Sequence, residues 1–265
     1  MSLEVLSCYP TGPSRPVPLL FVHGAYMAAW CWAEFFLPWF AERGWEAHAV
    51  SLRGHGASPG RDSLDAASLD DYVADVLLAA KGLGRPPILI GHSMGAIVVQ
   101  RAARQCGAPG MVLLAPVPRH GLAGCLFSLV MRDPALFFAL NAMQLGGDGA
   151  PAVSRVRDYL FSASVSESDV RRYLRRTQRE SQRALLDLTW PQHLWIRPSI
   201  GLPALVAGAA NDAFFFAHAI EEAARFHGAQ PKVFAQMAHE MMLEPGWKAV
   251  AEHVHAWLEE RMMQT

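Results

Sequence analysis

Over the first 117 residues, apolar runs of strand length alternate with stretches in which apolar positions recur at helical spacing. Residues 17–22, 46–52, 87–90 and 111–114 read as strands, several of them apolar at consecutive positions, as strands covered on both faces are. Residues 3–9 read as an edge strand. Leu69, Tyr72, Val73, Val76, Leu77 and Ala80 share one face of a helix, and Ser68 with Asp71 has capping-box spacing at its start. Strands alternating with helices predict an α/β fold with a mostly parallel sheet and crossover helices.

The alternation stops at Pro118 and resumes near residue 199. A strand is predicted at 204–207, a helix around 217–226, a strand at 232–235, and a last helix with Trp247, Val250, Ala251, Val254 and Leu258 on one face. The intervening residues 118–198 carry helical stretches rich in arginine and far exceed the ~12–15 residues of an ordinary loop. They read as a helical lid inserted into a core made of 1–117 and 199–265. No internal repeat or low-complexity tract is visible.

Composition narrows the possibilities. With 52% hydrophobic and 18% charged residues, the chain can bury a sizeable core and is not a disordered one. Lys and Arg number 23 against 24 Asp and Glu, so there is no basic surplus to neutralise phosphates, and nucleic acid is not an expected partner. Met1-Ser2-Leu3-Glu4 lacks the basic flank and apolar core of a signal peptide, and no apolar run approaches the ~18 residues of a spanning helix. A cytoplasmic protein without an integral membrane segment is expected. Cys8, Cys31, Cys106 and Cys125 are irregularly spaced and read as reduced, buried thiols.

The chemistry centres on Gly91-His92-Ser93-Met94-Gly95, a G-x-S-x-G between the predicted strand 87–90 and a helical stretch at 96–106. A sharp strand-to-helix turn exposes a serine hydroxyl only if the residues two before and two after lack side chains, which Gly91 and Gly95 satisfy. The turn also sets Ser93 at a helix N-terminus, where the amide of Met94 can stabilise an oxyanion. A serine needs a base, and the base needs an orienting acid. His239 falls between the last predicted strand and the last helix, whereas His253 and His255 lie on that helix and His227 follows another. Asp212, in Gly208-Ala209-Ala210-Asn211-Asp212, lies just past the strand 204–207. Ser93, Asp212 and His239 are therefore the expected nucleophile, acid and base.

These residues, in the order Ser93, Asp212, His239, make the chain similar to the α/β-hydrolase superfamily along essentially its whole length. His23-Gly24 after the first long strand matches that superfamily's oxyanion motif, which implies the amide of Ala25 as the second donor. His23-Gly24-Ala25, Trp30-Cys31-Trp32 and His239-x-Met241-x-Leu243 with Pro245 resemble small esterases related to plant methylesterases and hydroxynitrile lyases, and bacterial esterases. In the lyases a lysine follows the catalytic histidine; here Glu240 does.

The expected function is hydrolysis of a small carboxylic ester through an acyl-enzyme, with no cofactor and no metal. No H-E-x-x-H or carboxylate cluster of ligand spacing is present, and Arg53-Gly54-His55-Gly56 fails the spacing of a dinucleotide loop and reads as structural, with His55 a packing or hydrogen-bonding residue. C–C bond hydrolysis and acyl transfer use the same groups, and a slow-turnover ligand-binding receptor is the rival from another class. Tyr26, Met27, Met94, Phe214, Phe215 and Met241, with lid stretches 126–131 and 136–140, are the expected apolar pocket. Arg171, Arg172, Arg175, Arg176, Arg179 and Arg183 spread over more than one helical face and read as solvated surface rather than an anion site.

Overall fold

A computed structural model describes residues 2–144, 153–198 and 201–262. The side chains at 139 and 140, part of the expected pocket stretch 136–140, and residue 199, the expected return to the core, lie outside the described residues.

The strands are β1 (Val5–Cys8), β2 (Leu19–Val22), β3 (Ala47–Val50), β4 (Ile88–His92), β5 (Met111–Leu114), β6 (Ala204–Ala209) and β7 (Pro231–Phe234). They form one sheet in the order β1-β3-β2-β4-β5-β6-β7, parallel throughout except for β1, which pairs antiparallel with β3 at the edge. In β2 each residue is fully buried, and alternate side chains serve opposite faces: Leu19 and Phe21 join one apolar cluster, Leu20 and Val22 the other. That two-sided cover is why the strand has no polar alternation in its sequence.

Helices α1 (Trp30–Ala33) and α2 (Phe36–Ala41) cover the first face, where Phe21 meets Trp32 and Phe40 with ring centroids 5.0 and 5.7 Å apart. The sequence pattern assigns no helix there. Trp32, Phe36 and Phe40 are all fully buried, so the segment lacks the polar stripe that makes helical period visible. Helix α3 (Leu69–Gly82) starts at the expected capping box: Ser68 accepts the amide of Asp71, and Asp71 accepts the amide of Ser68. With α4 (Met94–Ala102) it packs on the second face.

Between β5 and β6 the chain runs through α5 (Ala123–Arg132), α6 (Pro134–Gln144), α7 (Val153–Leu160), α8 (Glu167–Leu174) and α9 (Gln182–Thr189). Then α10 (Ala217–His227) crosses from β6 to β7, and α11 (Trp247–Met262) returns to the first face. Among the described residues, no helix is long and apolar enough to cross a membrane. Among the ties between the helical insert and the core, which include Ser162 with Glu244 and Arg172 with Glu34, is the short segment from Gln178 to Ser181. Gln178 donates its amide to the carbonyl of Tyr26 at 3.0 Å and its side chain to that of Gly54 at 2.7 Å. Glu180, fully buried, accepts from Tyr72 Oη at 2.5 Å and from the Tyr26 amide at 3.3 Å, and pairs with His55 Nε2 at 3.1 Å.

Candidate active site

Parallel strands all point their C-terminal ends the same way, so the loops that follow them meet along one edge of the sheet. Val22 of β2 is in register with Gly91 of β4, which sets Gly24 and Ala25 beside Ser93. Ser93 sits at φ 52°, ψ −117°, a strained conformation that turns the chain abruptly from β4 into α4. Its glycines are required by contact. A Cβ on Gly95 would come within 2.5 Å of the carbonyl oxygens of Val22 and His23, and one on Gly91 would overlap the carbonyl of Gly95. A Cβ on Gly24 would lie 3.2 Å from that of Ser93. Among the described residues the amides of Ala25 and Met94 donate to no other group, so both are free to bind an incoming oxygen.

The acid and the base meet by the same logic. β6 and β7 are paired to Ala209 and Phe234, and beyond them Asn211 donates its amide to the carbonyl of Met237 at 2.9 Å. His239 Nδ1 then stands 2.7 Å from Asp212 Oδ2, both side chains buried. The other oxygen of Asp212 accepts the amides of Phe214 and Phe215 at 2.8 and 2.9 Å, which fixes the carboxylate and directs the proton of His239 to Nδ1. Burial works against the charged imidazole of His239, but the charge and hydrogen bond of Asp212 outweigh it and raise its pKa above 6.5. His92 Nε2 donates to the carbonyl of His239 at 2.9 Å, which ties the histidine loop to the strand carrying Ser93.

A cavity of about 490 Å³ opens over these groups, lined by Ser93, His239, Ala25, Met94 and, from the expected pocket, Tyr26, Met27, Phe214 and Phe215. Helix α5 contributes Leu126 and Leu129, and α6 contributes Leu136. Residues 19–253 match the model of the alpha/beta hydrolase family. The chain belongs to that family. Protein phosphatase methylesterase 1 of Bos taurus is 31% identical to it over 171 residues, which cover 63% of this chain and 42% of the relative. The human counterpart is 29% identical over 171 residues and 41% of its length. The chain thus spans less than half of the curated relatives it matches. A thermophilic esterase from Thermogutta terrifontis superposes with a TM-score of 0.72 at 16% identity, covering 98% of this chain and 93% of that one. A monoacylglycerol lipase from Paleococcus ferrophilus gives 0.71 at 18% identity, covering 98% and 100%. At such identities the likeness is one of fold.

The structure departs from the sequence expectation in several places. Met241 does not line the cavity; it is fully buried in the first-face cluster, because the turn after His239 points it inward. Met131 is 68% exposed, so the wall expected at 126–131 reaches the cavity only through Leu126 and Leu129. Of the cysteines only Cys31 is fully buried, and Cys125 lines the cavity. Arg171 and Arg175 also line it, at exposed positions, whereas Arg172 and Arg176 pair with Glu34, Arg179 with Asp65 and Arg183 with Asp187. His55 is a hydrogen-bonding residue as expected, but its partner Glu180, 125 residues away, had no signal in the sequence. Nor had Glu240, which lines the cavity while 3% exposed. Burial pushes its carboxyl up to about 7; the His239 charge opposes this, and those of Asp212 and Glu244 reinforce it.

Proposed function

We propose that the protein is a serine hydrolase that cleaves a carboxylic ester of a small molecule through an acyl-enzyme. Ser93 attacks the carbonyl carbon while His239 Nε2 takes the hydroxyl proton, and Asp212 holds the imidazole and stabilises its charged form. The amides of Ala25 and Met94 receive the oxygen as it becomes negative, and His239 then gives the proton to the leaving alcohol. Water repeats the sequence on the acyl-enzyme and releases the acid. No step requires a metal or cofactor.

One observation carries the reading: the Asp212–His239 pair at 2.7 Å and a strained serine flanked by two undonated amides open into the same apolar cavity. Relatives named as methylesterases favour ester cleavage over C–C cleavage or acyl transfer. In this reading residues 118–198 are a lid on the core formed by 1–117 and 199–265, since α5 and α6 supply one wall of the cavity.

Intact-mass analysis after treatment with a fluorophosphonate tests it, followed by a panel of esters. One adduct should form on the native protein and none on Ser93→Ala, with kcat on the best ester falling by roughly 10⁴-fold or more in the variant. An adduct that persists in Ser93→Ala rules out Ser93 as nucleophile, and an adduct without turnover of any ester favours the binding-receptor reading.

A further inference from the structure

Glu240 is a buried carboxyl with nothing to bind. Oε2 is shut off from solvent without a partner, and neither oxygen makes a hydrogen bond among the described residues. Its backbone is held firmly: the amide donates to the carbonyl of Leu160 at 3.0 Å, and its carbonyl accepts the amide of Leu243 at 2.8 Å. The residue lines the cavity beside His239. Beside it, His92 Nδ1 is equally buried and unpartnered, while its Nε2 is the nitrogen that donates to the carbonyl of His239. A neutral imidazole that donates through Nε2 offers only an acceptor at Nδ1. One nitrogen or carboxylate oxygen each from His92, His239 and Glu240 lie within 4.8 Å of one another.

Apart from the amides of Ala25 and Met94 and the hydroxyl of Ser93, the inner end of the otherwise apolar cavity thus offers acceptors when Glu240 is ionised. Buried polar groups in folded proteins are nearly always satisfied, and an exception that faces a site calls for a ligand. The nearby cations do not supply the missing donor. Arg171 and Arg175 are at exposed positions, and Arg171 pairs with Glu167.

We propose that Glu240 is the polar anchor of the cavity, receiving an O–H or N–H that the substrate carries within a few bonds of the scissile carbonyl. The preferred substrates are then hydroxy- or amino-substituted esters, and Glu240 is a specificity-determining residue. This rests on the reading of the site as an esterase. Within reach of a ring nitrogen of His239, the anchor holds the substituted carbon while Ser93 attacks the carbonyl a few bonds away, so part of the recognition acts on the reacting geometry.

The test compares methyl butanoate, methyl 3-hydroxybutanoate and methyl 3-aminobutanoate on the native protein, Glu240→Met and Glu240→Gln. The native protein should favour a substituted ester in kcat/KM, and that preference should drop by about tenfold or more in Glu240→Met. Glu240→Gln separates the two donors: an amide oxygen still accepts from a hydroxyl, whereas an ammonium loses its countercharge and its advantage. Calorimetric binding of the same esters to Ser93→Ala and to Ser93→Ala/Glu240→Met reads the anchor without turnover. A preference in binding without cleavage keeps the anchor and removes the esterase reading. Cleavage with the same substrate ratios in the native protein and Glu240→Met removes the anchor and keeps the esterase. A native preference for the unsubstituted ester, or no discrimination in either readout, also overturns the anchor.

Discussion

To accept a proton from Ser93, His239 must be neutral, and its surroundings decide at which pH it is. Asp212 raises the pKa of the imidazole, so the neutral fraction grows only as pH climbs through a value above 6.5. The kcat/KM profile should accordingly rise with pH along a limb centred above 6.5. Asp212→Asn removes the charge that favours the imidazolium and presents the wrong hydrogen-bonding pattern to Nδ1. Its limb should move down in pH, and its activity should fall by about 10⁴-fold in a protein that still melts cooperatively. A variant that keeps a few per cent of native activity would assign the orienting role to another carboxylate. The meeting of Ser93, Asp212 and His239 along one edge of the sheet was legible because each follows a strand in a loop whose destination topology dictates. Glu240 adjoins His239 in the sequence, yet nothing in a single Glu distinguishes a solvated side chain from a buried one. Met241 misled for the same reason: an apolar residue two places from His239 is as easily core as pocket.

At the scale of elements, the segment 178–181 is one place where the insert grips the core. Glu180 and His55 form a buried pair. Burial disfavours both charges, but their attraction and the hydrogen bonds to Glu180 from Tyr72 and Ser181 prevail, lowering the pKa of Glu180 below 4.5 and raising that of His55 above 6.5. The depressed carboxyl contributes stability that is present above 4.5 and lost as pH falls through its folded value. The raised imidazole contributes stability that is present below 6.5 and lost as pH rises through its folded value. Glu180→Gln should therefore destabilise most between these limits, by about 3 kcal/mol as expected for a broken buried pair. Melting curves of both proteins across pH check this; a gap in Tm independent of pH would mean that packing, not charge, is what the variant loses. Capped and amphipathic elements such as α3 were readable in advance, as were the strands, to within a few residues. The all-apolar α1 and α2 were not, and neither was 178–181, whose partners Gly54, His55 and Tyr72 lie more than 100 positions away in the chain.

On the scale of the whole molecule, substrate choice follows from what the sheet edge and the insert enclose. The wall is apolar along Met27, Leu126, Leu129, Leu136 and Phe214, where each buried methylene of a ligand gains roughly 0.8 kcal/mol. A carboxylate on the substrate would enter beside Glu240 and exchange its hydration for that wall. Esters with short to medium uncharged chains should thus outperform matched succinyl esters in kcat/KM; the reverse order would give Arg171 and Arg175 a binding role. The grip of Glu180 also bears on engineering. Its carboxylate reaches the amide of Tyr26, next to Ala25, so the insert is not an interchangeable module. A chimera that exchanged residues 118–198 wholesale for those of another hydrolase would leave His55, Tyr72 and the Tyr26 amide facing an empty socket. A graft that stops short of Gln178 keeps the socket filled, provided that it also retains Ser162, which donates its amide and hydroxyl to buried Glu244, and Arg172 and Arg176, which pair with Glu34.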